Sequence, residues 1–127
     1  MGQDWEYFSY DELKCKCCDE APMTDDFMHM LIAIREEFDR PMIITSAFRC
    51  ASYNSKIGGA KNSPHLHGAA VDVAVNYKDA YDLIGIALQH GMTGIGIKQK
   101  GSPSGRFIHL DNMMASENRP RPTVWSY

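Results

Sequence analysis

The stretch AAVDVAV, residues 69–75, alternates valines with small or charged side chains and constrains the fold more than any other segment. Successive side chains of a β-strand point to opposite faces, so Val71, Val73 and Val75 share one face. Asp72 lies on the other face, between two alanines. A buried carboxylate is costly unless it is paired or bound to a metal. The pattern therefore predicts a core strand whose Asp72 faces a partner.

A second alternating stretch, RFIHLD at residues 106–111, has the same design. Its two aliphatic side chains point to one face, and His109 and Asp111 point to the other. If the two strands are neighbours in one sheet, we expect Asp72 and His109 to converge.

The segment SPHLHG before the first strand supplies two more histidines, His65 and His67. Seven residues of extended chain would span more than about 20 Å, so the segment must reverse for His65 to approach Asp72. Pro64 and Gly68 are residue types that permit such a reversal. We expect His65 to reach the aspartate, with His67 as a rival.

His65, Asp72 and His109 would together form a three-ligand site with an open fourth position. This is the pattern of catalytic zinc sites, because structural zinc sites are usually closed and rich in cysteine. Each short motif alone is weak evidence. Their placement on strand faces opposite the core favours a metal site.

The remaining elements predict an α+β fold, a small and mainly antiparallel sheet flanked by helices. Helix starts are predicted at Ser9 and Thr24. A further helix after Asn76 is expected to carry Tyr81, Ile84 and Leu88 on one face. Other strands are predicted at 42–48 and 94–98, the second forming a hairpin with 106–111. We expect the tail to fold back over the body, anchored by Trp125.

Length and composition indicate one globular domain spanning residues 1–127. The net charge of −3 gives no electrostatic basis for binding nucleic acid or an anionic membrane. No apolar run approaches the roughly 20 residues needed to span a bilayer. The polar N-terminus lacks the pattern of a signal peptide. We therefore expect a protein that is made in the cytoplasm. We also expect a monomer.

The four cysteines, at positions 15, 17, 18 and 50, allow several interpretations. Cys15 and Cys18 form a C-x-x-C, but no second pair follows to complete a zinc ribbon or finger. In a reducing cytosol, unreacted thiols that pack as small hydrophobes are the preferred interpretation. A disulfide, or a small structural zinc site joining this cluster to Cys50, is the alternative.

Four motifs in the chain together resemble one family. The pattern S-x-H-x-x-G-x-A-x-D is matched at Ser63, His65, Gly68, Ala70 and Asp72. An upstream pattern, S-x-x-R … N … G-G-A, is matched at Ser46, Arg49, Asn54, Gly58, Gly59 and Ala60. An aromatic-x-H-x-D pattern is matched at Phe107, His109 and Asp111. The N-terminal pattern F-S-x-x-E-(L/F)-x-C-x-C is matched at Phe8, Ser9, Glu12, Leu13, Cys15 and Cys17.

In these motifs the chain resembles the zinc D-alanyl-D-alanine carboxypeptidases and L-alanyl-D-glutamate endopeptidases, which cut stem peptides of bacterial cell walls. The N-terminal pattern is similar to that of small phage-type members. The resemblance implies a hedgehog/DD-peptidase-like fold and a zinc ion (Zn2+) held by His65, Asp72 and His109. It also implies that Arg49 binds a substrate carboxylate or carbonyl, and that Ser63 hydrogen-bonds substrate near the metal. From the residues alone, Arg49 could equally form a surface ion pair and Ser63 a turn.

The chain departs from the family pattern at the general base. Several branches place an acidic residue three positions before the last histidine ligand, and others place a histidine two positions before it. Here those positions hold Arg106 and Phe107, and neither side chain can accept the proton. Asp111 shares a face with His109 and is our candidate base. The alternative is a carboxylate that orients the ligand histidine.

The function implied by the resemblance is zinc-dependent hydrolysis of an amide bond in a peptidoglycan stem peptide. The small size and the absence of a signal peptide suit a phage endolysin that reaches the cell wall after release, or an enzyme carried on a virion. The motifs do not distinguish which peptide bond is cut. Two other hypotheses are a catalytically silent module that binds wall peptides, and a structural viral subunit that zinc only stabilises.

Overall fold

The computed structural model describes residues 4–127, which form an α+β fold with one five-stranded sheet. This fold class and the mainly antiparallel sheet confirm the prediction. The helices are α1 (Tyr10–Leu13), α2 (Asp25–Phe38), α3 (Ala51–Lys56) and α4 (Tyr77–Gln89). The strands are β1 (Ile43–Ser46), β2 (Ala70–Ala74), β3 (Gly94–Lys98), β4 (Phe107–Asp111) and β5 (Thr123–Ser126).

The helices start where capping residues predict. Ser9 and Glu12 form a reciprocal capping box at the start of α1. The Thr24 side chain accepts a hydrogen bond from the backbone N–H of Phe27 and so begins α2. The long helix α2 then buries one apolar face against the sheet and α4, namely Phe27, Met28, Leu31, Ile34 and Phe38.

The face of α4 that carries Tyr81, Ile84 and Leu88 is only partly covered, with Ile84 packed against the core. Tyr81 is 81% exposed and Leu88 is 57% exposed, whereas Ala80, Leu83 and Ala87 are buried. The buried set still follows helical spacing, since its members lie three and four positions apart. Alanines allow α4 to approach its neighbours closely, and this leaves the larger side chains at the margins of the interface.

The strands are ordered β1-β2-β4-β3-β5 across the sheet. All pairings are antiparallel except that of β3 with β5. The predicted hairpin of β3 and β4 is therefore confirmed. The tail does return to the body, but it does so as a strand, β5, whose Trp125 lies opposite Gly96.

The register of the central strands brings the predicted polar side chains together. Asp72 of β2 lies directly opposite His109 of β4, which in turn lies opposite Gly96 of β3. Directly opposed residues in neighbouring strands project to the same face. The other face carries Val71, Val73 and further aliphatic side chains into the core.

No helix within residues 4–127 is both long enough and apolar enough to cross a membrane.

Candidate metal centre and its cleft

Three donor atoms converge on the polar face of the sheet. The Oδ1 atom of Asp72 lies 3.2 Å from Nε2 of His65 and 3.1 Å from Nδ1 of His109. All three residues are buried, with 7%, 2% and 2% of their surfaces exposed, respectively. The sequence predicted that these three side chains would meet, and the structure brings them together.

A short 3₁₀ turn, Pro64–His67, carries His65 back to the sheet. Gly68 ends this turn in the left-handed region, with φ of 66°, and a Cβ there would overlap the carbonyl oxygen of Pro22. The reversal therefore requires glycine. His67 on the same turn is exposed and lies outside the cluster of donor atoms.

Each histidine has its second ring nitrogen occupied. Nδ1 of His65 donates to the carbonyl oxygen of Ala47 over 2.6 Å. Nε2 of His109 donates to Oδ2 of Asp111 over 2.7 Å. Such partners fix the tautomer and the ring orientation of metal-binding histidines. The other nitrogen of each ring faces Oδ1 of Asp72, where it can bind a metal ion once it has no proton.

This donor set fits a zinc ion. Zinc bonds to imidazole nitrogen and carboxylate oxygen are about 2.0–2.2 Å long, so tetrahedral ligand atoms lie roughly 3.3 Å apart. The distances of 3.2 and 3.1 Å around Asp72 are close to that value. All three donor atoms lie within 4.8 Å of one another. Two imidazoles and one carboxylate also form the mixed nitrogen and oxygen set that zinc prefers.

Asp111 lies behind His109 and does not line the cleft. Its side chain is fully buried and is bound by Arg121 in a bidentate pair, Nε to Oδ1 at 3.0 Å and Nη2 to Oδ2 at 2.9 Å. The backbone N–H of Met113 also donates to Oδ1. This geometry contradicts the assignment of Asp111 as the group that takes a proton directly from a cleft water. It favours the alternative, a carboxylate that orients a ligand histidine.

The electrostatics of Asp111 agree with this role. Burial alone would raise the pKa of its carboxyl, but hydrogen bonds from His109 and Arg121 lower the pKa to about 2. Burial alone would likewise lower the pKa of His109, and the hydrogen bonds to Asp111 and Asp72 raise it above its ordinary value. Asp111 therefore stays ionised at neutral pH as a fixed acceptor for the ring of His109.

Two glycines of β3 leave the space that these side chains fill. A Cβ on Gly94 would overlap the carboxylate of Asp111. A Cβ on Gly96 would lie 2.7 Å from Nε1 of Trp125 and 3.0 Å from Cβ of His109. The sequence GIG at 94–96 carries this signal, since two glycines on one face of a strand indicate close approach by neighbours. The sequence predicts the strand at 94–98 but not the space that its two glycines leave.

Arg49 lies beside the cluster of His65, Asp72 and His109, and its side chain is held by hydrogen bonds. Its guanidinium donates to Oγ of Ser46 and to Oδ1 of Asn54, each at 3.2 Å. A third guanidinium nitrogen, Nη2, lies 3.5 Å from Oδ2 of Asp72. Gly59 is required here because a Cβ at that position would overlap the Asn54 side chain. The polar residues of the upstream motif thus act together to hold the Arg49 fork.

Ser63 begins the turn that carries His65. Its Oγ accepts a hydrogen bond from the backbone N–H of His65 over 3.2 Å. The residue is buried but borders the cleft. The hydroxyl hydrogen remains available to a substrate, so the capping role and the predicted substrate-binding role are compatible.

The donor atoms open onto a cleft of about 760 Å³. This volume is within the usual range for small-molecule and peptide-segment sites. Its walls combine aromatic and cationic side chains from the tail of the chain with the glycine-rich segment after α3. The tail residues that border it include Arg119, Arg121, Trp125 and Tyr127.

The tail residues of the cleft could not be found from the sequence motifs. The tail was predicted to fold back, but its contribution of two arginines and two aromatic rings was not. Arg121 stacks over Trp125, with its guanidinium carbon 5.2 Å from the ring centroid. The Pro- and Arg-rich composition of residues 118–122 was the available signal.

The α+β fold brings two histidines and an aspartate together beside an open cleft, and such a three-donor set is the kind found in mononuclear zinc hydrolases. Residues 6–111 match the family model of peptidase M15. The chain belongs to this family, as the sequence motifs predicted.

A curated relative, the zinc D-Ala-D-Ala carboxypeptidase of Streptomyces albus G, is 37% identical over 57 residues. The aligned part represents 45% of this chain and 22% of that enzyme. The chain therefore matches about a fifth of the length of this relative.

Proposed function

We propose that this protein is a zinc metallopeptidase that hydrolyses an amide bond in peptidoglycan stem peptides. The observation that carries the proposal is the convergence of His65, Asp72 and His109 at the floor of an open cleft. Membership of the peptidase M15 family and the similarity to a zinc carboxypeptidase support the metal and the substrate class.

The three donors would hold the zinc ion, and the cleft gives access to its remaining coordination position. A bound zinc ion supplies Lewis-acid chemistry, since it lowers the pKa of water and polarises a carbonyl. The protein contributes the orientation of the ligands. The carbonyl of Ala47 fixes the ring of His65, and the carboxylate of Asp111 fixes that of His109.

Arg49 is the proposed anchor for a substrate carboxylate or carbonyl. Its planar fork suits bidentate contact with a carboxylate, and its hydrogen bonds to Ser46 and Asn54 restrict it to one orientation. Stem peptides are acidic and end in carboxylates, so a fixed cation beside the reacting bond would select and position them. Ser63, which also borders the cleft, offers its hydroxyl hydrogen to the substrate.

Tyr127 contributes a hydrogen-bond donor at the edge of the cleft. Burial raises the pKa of its phenol above the ordinary value of 10.0, so the group stays protonated at neutral pH and beyond. Its O–H can therefore donate a hydrogen bond to an anionic group. Trp125 packs against the ring of His109, with centroids 5.1 Å apart, and shields that ligand from solvent.

A second candidate function is a metal-containing module that binds wall peptides without cutting them. One observation favours it. Along residues 4–127, the only carboxylate that borders the cleft is that of Asp72, which is itself a proposed ligand. An enzyme would then move protons through water or a substrate group, since no separate acidic side chain is positioned to accept them.

The remaining features are proposed from the sequence and from the resemblance. They are a single zinc peptidase domain over 1–127, a monomeric state, a phage endolysin as the type of protein, and the cell wall as the place of action. The similarity of the N-terminal motif to small phage-type members supports the endolysin assignment.

Digestion of purified peptidoglycan tests the proposal. We expect release of new amino termini, their loss after chelation and their recovery on addition of zinc. Mass spectrometry of the fragments would identify the bond that is cut. Binding to peptidoglycan without release would favour the binding module, and neither binding nor release would contradict both functions.

A further inference from the structure

The four cysteines of the chain form a second cluster of metal-capable atoms. The Sγ atoms of all four residues lie within 4.8 Å of one another, namely those of Cys15, Cys17, Cys18 and Cys50. The closest pairs are Cys17–Cys50 at 3.2 Å, and Cys15–Cys17 and Cys15–Cys50, both at 3.7 Å. All four cysteines are free thiols in the structure.

Two parts of the chain supply this cluster. Cys15, Cys17 and Cys18 lie in the loop after α1, whereas Cys50 caps the start of α3. The backbone N–H of Cys50 donates to Sγ of Cys15 at 3.4 Å, and the N–H of Tyr53 donates to Sγ of Cys50 at 3.4 Å. Such N–H groups stabilise the thiolate form that binds metals.

The spacing of the sulfur atoms agrees with tetrahedral zinc coordination. Zinc–sulfur bonds are about 2.3 Å long, so sulfur atoms at the corners of a tetrahedron lie roughly 3.8 Å apart. Two of the pairs, at 3.7 Å, have this separation, and the third is shorter by half an ångström. A disulfide would require an S–S bond of about 2.05 Å, which is far shorter than these three distances.

We propose that Cys15, Cys17, Cys18 and Cys50 bind a structural zinc ion, separate from the ion at the cleft. The four thiols would lose their protons on binding and leave no open coordination position, as in closed structural sites. This replaces the interpretation of the cysteines as unreacted thiols that the sequence alone favoured. The proposal is independent of the catalytic function.

The site has a mechanical consequence for the cleft. It joins two segments 35 positions apart, and Cys50 directly follows Arg49. The backbone N–H of Phe48 donates to the carbonyl oxygen of Leu13, so the two segments are already paired beside the cluster. A zinc ion there would fix the N-terminal loop against the start of α3 and hold the backbone of Arg49 in place.

Metal analysis of a variant that lacks two of the three proposed cleft ligands tests this proposal. The full-length chain carrying His65→Ala and Asp72→Ala would be expressed with zinc, dialysed and analysed for metal content and X-ray absorption at the zinc edge. We expect about two zinc ions per chain in the wild type and about one in the variant. The variant should show sulfur neighbours alone, at about 2.3 Å.

Substitution of one proposed ligand gives an independent measurement. Cys17 is exposed, so Cys17→Ser in the same background should remove the remaining zinc with little disturbance of packing. Lys16→Ala, in the same loop, is the matched control and should retain it. The proposal would be overturned if the variant with His65→Ala and Asp72→Ala bound no zinc, or if its zinc had nitrogen or oxygen neighbours. A disulfide between these cysteines in the intact protein would also overturn it. Because these measurements count metal, they hold whether or not the protein cuts peptidoglycan.

Discussion

The Oδ2 atom of Asp111 lies 2.7 Å from Nε2 of His109, while the other nitrogen of the same ring faces Asp72. The imidazole thus connects a buried carboxylate to the candidate metal position. Arg121 binds both oxygens of Asp111 from behind. The arrangement orients the ring and keeps Asp111 away from the cleft.

Asp111→Asn should weaken zinc binding by about 10- to 100-fold, because the ring of His109 loses its charged partner. Competition with a chromophoric chelator would measure the zinc affinity, and turnover would be followed at saturating zinc. We expect most of the lost activity to return when zinc is in excess. A large loss of turnover at saturating zinc with unchanged affinity would instead identify Asp111 as a direct base. Asp82→Asn, which removes a carboxylate on α4 outside the cleft, is the control.

Gly94→Ala should destabilise the protein by about 1–3 kcal/mol, because the added methyl group overlaps the carboxylate of Asp111. Gly85→Ala is the matched control, since a Cβ at that helical position meets nothing within 4 Å. It should stabilise the protein by roughly 0.5–1 kcal/mol. Urea unfolding in the presence of a chelator would measure both changes without a contribution from zinc. Equal effects of the two substitutions would show that β3 does not need this glycine.

Arg49→Lys should lower kcat/KM by about 10- to 100-fold on stem peptides that end in a free carboxylate, since an ammonium cannot reproduce the bidentate contact. The same peptides with an amidated end serve as the comparison, and their kcat/KM should change little. Zinc content must be measured in parallel, because Arg49 also approaches Asp72. An equal loss on both kinds of peptide would show that Arg49 does not recognise the carboxylate.

The contribution of Asp82 to folding stability should depend on pH. Hydrogen bonds from Lys78 and Arg40 lower the pKa of its carboxyl below the ordinary value of 3.8. A lowered pKa in the folded state stabilises the protein above pH 3.8, and this stabilisation is lost as the pH falls through the folded value. Asp82→Asn should therefore reduce Tm at pH 7 and have a smaller effect near pH 3. A difference in Tm that stays constant across this range would contradict the assignment.

The central part of the site could be predicted because the two-residue period of a strand fixes which side chains share a face. Asp72 and His109 needed only that period and a pairing of their strands. His65 required one further inference, that Pro64 and Gly68 reverse the chain.

Other features could not be predicted because they depend on tertiary packing. The bidentate pair of Asp111 with Arg121 joins a strand to a tail that has no periodic pattern. The cysteine cluster forms only when Cys50 is brought to the loop after α1, and sequence spacing does not encode that distance. The buried face of α4 consists of Ala80, Leu83 and Ala87, and the larger apolar side chains Tyr81 and Leu88 stay exposed, which apolar spacing alone does not decide.

The position of Tyr127 at the edge of the cleft has a practical consequence for handling the protein. Any residues fused after Tyr127 start beside the cleft that the proposed substrate would enter, and the ring of Phe107 lies only 5.0 Å from the Tyr127 ring. An affinity tag placed there would compete with the peptide for access, and an activity assay would then give a false negative result. Tags for activity assays therefore belong at the other terminus or should be removed by proteolysis before measurement.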